Sequence, residues 1–277
     1  MSRILEKAEF IILLKDIVNK LDKNNIRNEI PFVYKNKMTY DFIKIIIPEE
    51  INEVILEDIF KSNEYSVKDE FIDFYYKDFR IVFIRTPESS FFASFFYYSW
   101  DIMSTLMNIM LNKFGLNLTP IGLKYSNCNN PFLISSNIKN VFEFLELNFN
   151  DYLSGSFNNG VKKINIVNKK GDIIEAEGLN YGNTGFNSLE DEIKYISTSY
   201  YFNINIFKNF ELDKNDFFYF EKKPYYDYIQ NILKMVNNED IYEYEYVDNL
   251  DDYLLKINTM FPDSKFLEIL LKNKNYI

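Results

Sequence analysis

The segment YDFIKIII (40–47), followed by EFIDFYYKDFRIVFI (70–84), decides how this chain is read. In the first, β-branched residues crowd together and end at Pro48, which predicts a strand. In the second, two apolar runs flank Lys77-Asp78, which predicts a hairpin closed by that turn. Between them, Ile51, Val54, Ile55 and Ile59 recur at helical spacing and predict a helix over 49–61. Upstream, Ile4, Ala8, Ile11, Leu14, Val18 and Leu21 predict an amphipathic helix over 3–23. Downstream, Pro87 stops the hairpin, and Ser89 or Ser90 caps a long aromatic helix running to about Phe114. Gly115 sits where a helix end favours glycine.

Composition removes whole classes of chemistry. The 277 residues contain no His and one Cys, so neither Ser–His–Asp nor Cys–His catalysis is available. Zinc sites built on His and Cys are excluded, as is a disulfide within the chain. A metal would have to be a hard cation held by carboxylates. All eight glycines lie at or after Gly115, so no glycine-rich phosphate loop precedes it. Lys and Arg number 31 against 41 Asp and Glu, and the net charge of −10 opposes general attraction to nucleic acid or anionic membranes. The charged N-terminus lacks a signal-peptide pattern. The apolar stretch 91–110 contains Asp101 and Asn108, which predicts a buried core helix rather than a membrane span. The expected setting is the cytoplasm, without a membrane partner.

The second half changes character. A short extended segment covers 116–125, and the loop near 126–136 is the expected boundary between a domain of residues 1–125 and a mainly helical domain of residues 126–277. Helices are expected over 138–148, 189–199 (with Ser188 and Asp191 as a capping box) and 225–236, opened by Pro224. A β-hairpin is expected within about 160–180, with Gly171 in its turn. Tyr242, Tyr244 and Tyr246 alternate with Glu243 and Glu245 as in a half-buried strand, and a last helical stretch covers 251–273.

The order helix, strand with an acidic residue, helix, hairpin, long helix resembles the palm of polymerase-β-like nucleotidyltransferases. Within 80–125, the chain is similar to the nucleotidyltransferase-like proteins of large DNA phages and viruses. The shared pattern is Lys113-Phe114-Gly115-Leu116 followed by Gly122-Leu123-Lys124-Tyr125. It continues through Phe144-Leu145-Glu146-Leu147, Tyr152-Leu153-Ser154-Gly155, Gly185-Phe186 and Ser199-Tyr200-Tyr201-Phe202-Asn203. The resemblance spans roughly residues 38–270 and treats the hairpin near 160–180 as an insertion. It implies an α+β fold: a small mixed sheet with helices, then a mostly helical region. Active members of that superfamily hold two Mg ions with two Asp at i and i+2 on one strand and a third on the neighbouring strand. Here the matching positions are Asp41, Ile43 and Val82, and the turn Val33-Tyr34-Lys35-Asn36-Lys37-Met38 has no glycine. The resemblance therefore implies a scaffold of viral origin without its metal site.

Asp41 is then either a relic ligand or an exposed strand-end carboxylate. Asp73 and Asp78 would rebuild a metal site with it only from an unusual direction. Lys35, Lys37 and Arg80 are candidates for a small phosphate-binding pocket, with ordinary surface charge as the plainer reading. Lys162, Lys163, Lys169 and Lys170 form the best local basic patch, and Cys128 is read as an inert thiol. Three functions follow: a non-catalytic nucleotidyltransferase-like protein that binds another protein or, through its basic patch, nucleic acid; an active Mg-dependent nucleotidyltransferase; or an assembly subunit. The first and third need no cofactor, and only the second needs Mg.

Overall fold

The computed structural model describes residues 3–154, 186–199, 201–202, 211–235, 255–256 and 259–260. The expected hairpin near 160–180 with its four lysines, the tyrosine row 242–246 and nearly all of 251–273 lie outside these residues. What is described is a mixture of helices and several small sheets, in keeping with an α+β class.

The organising sheet has four strands in the order β3-β6-β5-β4: β3 (Phe42–Pro48), β4 (Tyr65–Lys68), β5 (Phe71–Tyr76) and β6 (Phe79–Thr86). Parallel pairing joins β3 to β6, with Phe42 opposite Arg80 and Lys44 opposite Val82. The expected hairpin is β5–β6, whose turn residues Lys77 and Asp78 both take positive φ. Sequence reading missed β4, which extends the hairpin on its far side. It also missed that Tyr40 leaves the first strand. Thr39–Tyr40 forms β2, paired with β1 (Leu5–Glu6), and a bend at Asp41 separates it from β3.

Two helices cover one sheet face, α1 (Lys7–Lys23) and α2 (Glu53–Phe60). α2 starts later than its apolar spacing suggested because Asn52 caps it, its Oδ1 accepting from Ile55 N at 3.1 Å. Ile43, Ile45, Ile47, Ile72, Phe74, Ile81 and Phe83 pack there against Phe10, Leu14, Ile17, Leu56 and Phe60. The opposite face carries Phe42, Ile46, Phe71, Val82 and Ile84, which pack against Phe91, Tyr98 and Phe218. Burial on both faces explains why β3 reads as an apolar run interrupted only by Lys44.

The long aromatic helix is two helices, α3 (Phe91–Tyr98) and α4 (Met103–Leu111). Trp100 and Asp101 break it with φ of 58° and 44°. Such left-handed geometry costs about 1–2 kcal/mol per residue outside glycine. Gly115 takes φ 67° at the expected helix end. The segment after it is a three-stranded sheet, β7 (Leu116–Thr119), β8 (Gly122–Tyr125) and β9 (Phe132–Ser135). β9 belongs to the loop expected at the domain boundary, so strand pairing crosses residue 125. The largest core cluster also draws on both sides of that position, joining Tyr34, Trp100 and Leu106 to Phe142, Tyr152 and Tyr195.

Short helices follow: α5 (Lys139–Phe144), α6 (Phe149–Ser154), α7 (Leu189–Ile196) and α8 (Tyr219–Met235). The helix expected over 138–148 ends early, at Phe144, with Glu146 at φ 55° just beyond it, and α6 lies past the expected span. α8 begins ahead of Pro224 rather than at it; Pro224 lies on the exposed side, where its missing N–H strands no buried carbonyl. Ser188 makes no side-chain cap on α7; Asp191 instead accepts from Asn187 N at 3.0 Å.

Candidate functional site

A lysine in the middle of a buried strand needs a counter-charge, and Lys44 finds one. Its Nζ lies 3.3 Å from Asp101 Oδ1, with side-chain exposures of only 8% and 10%. Tyr225 of α8 donates to the other carboxylate oxygen at 2.8 Å. The α3–α4 break puts Asp101 there. Its geometry is held from Phe32: Phe32 N donates to Ser99 Oγ at 3.0 Å, and Trp100 N donates to Phe32 O at 2.9 Å. Burial pulls Lys44 below the ordinary lysine range, and Lys222 and Lys37 pull the same way against Asp101. Burial pushes Asp101 upward, but Lys44, Lys37 and the Tyr225 hydroxyl outweigh it and hold the carboxyl below its usual value.

Beside this pair, Arg80 Nε meets both Asp73 oxygens at 2.9 and 3.1 Å, and its Nη1 meets Glu221 Oε1 at 2.5 Å. Burial opposes the guanidinium charge, yet the bonds to Asp73 and Glu221 raise its pKa further above its ordinary value. Lys222 Nζ is fixed by Asp216 at 2.7 Å. Three cations surround the Phe42 ring: Arg80 at 5.2 Å, Lys37 at 5.7 Å and Lys44 at 6.0 Å. Phe218 stacks on the same ring and takes Lys44 over its own face at 4.6 Å. The result is a closed ionic and aromatic layer between the sheet and the start of α8.

At its inner edge stands Glu192 of α7, fully buried, with neither carboxylate oxygen hydrogen-bonded among the described residues. The Tyr34 hydroxyl faces it without closing a bond of ordinary geometry, and Trp100 Nε1 likewise finds no partner among the described residues. Burial, and after it the negative charge of Asp101, raises the Glu192 pKa well above the usual carboxylate range, favouring the neutral acid.

The structure places the sequence candidates as follows. Asp41 is exposed at the bend ahead of β3. Ile43 packs toward α1 and α2, whereas Val82 packs on the opposite face, so these positions do not converge. Lys37 and Arg80 do come together, around Phe42, but Arg80 is already committed to Asp73 and Glu221. Lys35 is tied by its backbone, its N–H donating to Phe186 O and its carbonyl accepting from Lys7. Asp73 serves Arg80, and Asp78 forms the hairpin turn, its carbonyl accepting from Arg3 N. The Cys128 thiol donates to Asn130 O at 3.2 Å. Among the described residues, no group of three or more His, Cys, Asp or Glu is arranged to hold a metal ion. No described helix is long and apolar enough to cross a membrane.

Lys44, Asp101 and Glu192 were the residues that sequence reasoning did not assign to the site. Each carries a signal. Lys44 interrupts FIKIIIP, Asp101 interrupts an apolar helix, and Glu192 shares the buried side of α7 with Leu189 and Ile196.

No protein-family model matches this chain, and no curated protein matches it.

Proposed function

We propose that this chain is a nucleotidyltransferase-like protein of phage or viral origin that no longer catalyses transfer and acts by binding another protein. One observation carries the reading: the sheet face shared by β3 and β6 presents Phe42, Lys44, Arg80 and Val82. The resemblance implies an acidic metal ligand on this face at Val82, and the other two matching positions, Asp41 and Ile43, do not converge with it. The face instead presents an aromatic ring, two cations and a valine, sealed by Phe218, just ahead of α8, and by Glu221 of α8. Divalent cations would meet Lys44 and Arg80 at short range, and like charges in a low-dielectric setting repel strongly. The nearby acids offer no relief, because Asp101 and Asp73 are engaged by those same cations. This also weighs against an active enzyme with relocated carboxylates. A protein partner fits the net charge of −10 better than nucleic acid does.

The test is incubation of the full chain with Mg or Mn and labelled nucleoside triphosphates, with protein, RNA and DNA as acceptors. The expected result is no transfer. Transfer that Asp41→Asn abolishes would overturn the reading.

A further inference from the structure

The two edges of the four-stranded sheet are finished differently. At the β3 edge, Ile46 exchanges both backbone bonds with Glu29, at 2.8 and 3.1 Å, which closes it. At the other edge lies β4, every residue of which is exposed, and among the described residues no strand pairs with its outer side. Long or apolar open edges invite pairing with another chain, and native proteins blunt them. Here the edge displays Tyr65 and Val67, 37% and 44% exposed. α2, on the same face, adds exposed Val54 and Ile55.

Antiparallel alternation says which backbone groups are available. Tyr75 N donates to Glu64 O at 2.8 Å, so Glu64, Ser66 and Lys68 turn their backbone groups toward β5. Tyr65 and Val67 therefore turn theirs outward. A second β4, running antiparallel about a two-fold axis at Ser66, would set Tyr65 against Val67 and Val67 against Tyr65. Both of those pairs then use the outward groups. The same register sets Glu64 against Lys68 twice. The strand is thus complementary to itself in backbone, apolar side chains and charge, as an isologous interface requires.

We propose that β4 is the seam of a homodimer in which two copies of this chain join their sheets edge to edge about Ser66. The inference does not rest on the functional reading above.

Light scattering on the eluting full chain at micromolar concentration reads the state directly: a dimer has twice the 33.2 kDa chain mass. Glu64→Lys and Lys68→Glu each turn two attractive pairs into repulsive ones, so each should weaken self-association about ten-fold. An equimolar mixture of the two variants restores both attractive pairs and should dimerise at wild-type strength, as should the double swap. Both positions are exposed, and circular dichroism checks that folding is intact. A chain that stays monomeric overturns the proposal. So does a dimer indifferent to the single reversals, or variants whose mixture does not recover.

Discussion

The two faces of the central sheet solve burial in opposite ways. Toward α1 and α2 the strands present Ile, Phe and Tyr in alternation, and the helices answer with Phe, Leu and Ile. Toward α3 and α8 the same strands set Lys44, Arg80 and Asp73 among Phe42, Ile46, Val82 and Ile84, and ion pairs join the apolar packing. The first face needs only volume and hydrophobicity, which many sequences supply. The second needs particular partners at particular distances, because a buried charge is tolerable only when it is paired and hydrogen-bonded. One face thus holds the fold together, while the other fixes where α8 and the α3–α4 break must sit. A function is more legible in the second kind of surface, since hydrophobicity alone would not have selected it.

The comparison breaks most visibly at Lys44. Lys44→Met keeps the length and removes the charge, leaving Asp101 buried without its ion-pair partner, with the Tyr225 hydrogen bond and the charge of Lys37 remaining. The expected loss is about 3–5 kcal/mol in denaturant unfolding. Adding Asp101→Asn should return most of it, since the penalty lies in the uncompensated charge. A double variant as unstable as the single one would show that Lys44 matters for packing alone. On the apolar face, Ile45→Ala removes a fully buried side chain and should cost about 2–5 kcal/mol, with no partner substitution able to restore it. The contrast in rescue, more than in size, separates the two faces.

Much of the first face was readable from the chain. Helical spacing located α1 and α2, a β-branched run ending at Pro48 located β3, and two apolar runs around Lys77-Asp78 located the β5–β6 hairpin. β4 was not readable: all four of its residues are exposed, and Tyr65 and Val67 alone make too short a stripe. The α3–α4 break was hidden for a different reason. Trp100 and Asp101 carry no helix-breaking side chain, and their left-handed backbone is set by Phe32, distant in sequence. The site followed the same logic. Lys37 and Arg80 were picked out as cations and do meet at Phe42, but the carboxylates that close on Arg80 come from β5 and α8 and are invisible to local pattern. Expecting Asp41 and Ile43 to share one face assumed a regular strand, and the bend at Asp41 breaks that assumption.

Glu192 sharpens the comparison through pH. Asp101, Tyr34, Lys44, Tyr152 and Tyr225 face it. Its pKa is raised by burial in the folded chain, so the folded state keeps a proton that the unfolded state gives up. Its stability contribution is therefore intact below the unfolded carboxyl's range and is lost as pH climbs toward the folded value. Glu192→Gln should stabilise the chain at neutral pH and flatten the decline of stability from pH 5 upward. Chemical unfolding of both proteins across that range is the check, and parallel curves would mean that Glu192 is not buried as the acid.

The smallest expected effect tests whether helix ends on the two sides are held alike. Asn52 caps α2 through its side chain, so Asn52→Ala should cost about 1 kcal/mol. Ser188 stands at the same position before α7 but makes no side-chain cap, so Ser188→Ala should change stability by less than about 0.5 kcal/mol. The apolar side of the fold would then hold its helix locally, through a cap written in the sequence. α7 would instead be held by Asp191 and by what its inner side buries, including Glu192. Equal losses at the two serine and asparagine positions would reverse this, making the start of α7 a local feature rather than a consequence of the layer it seals.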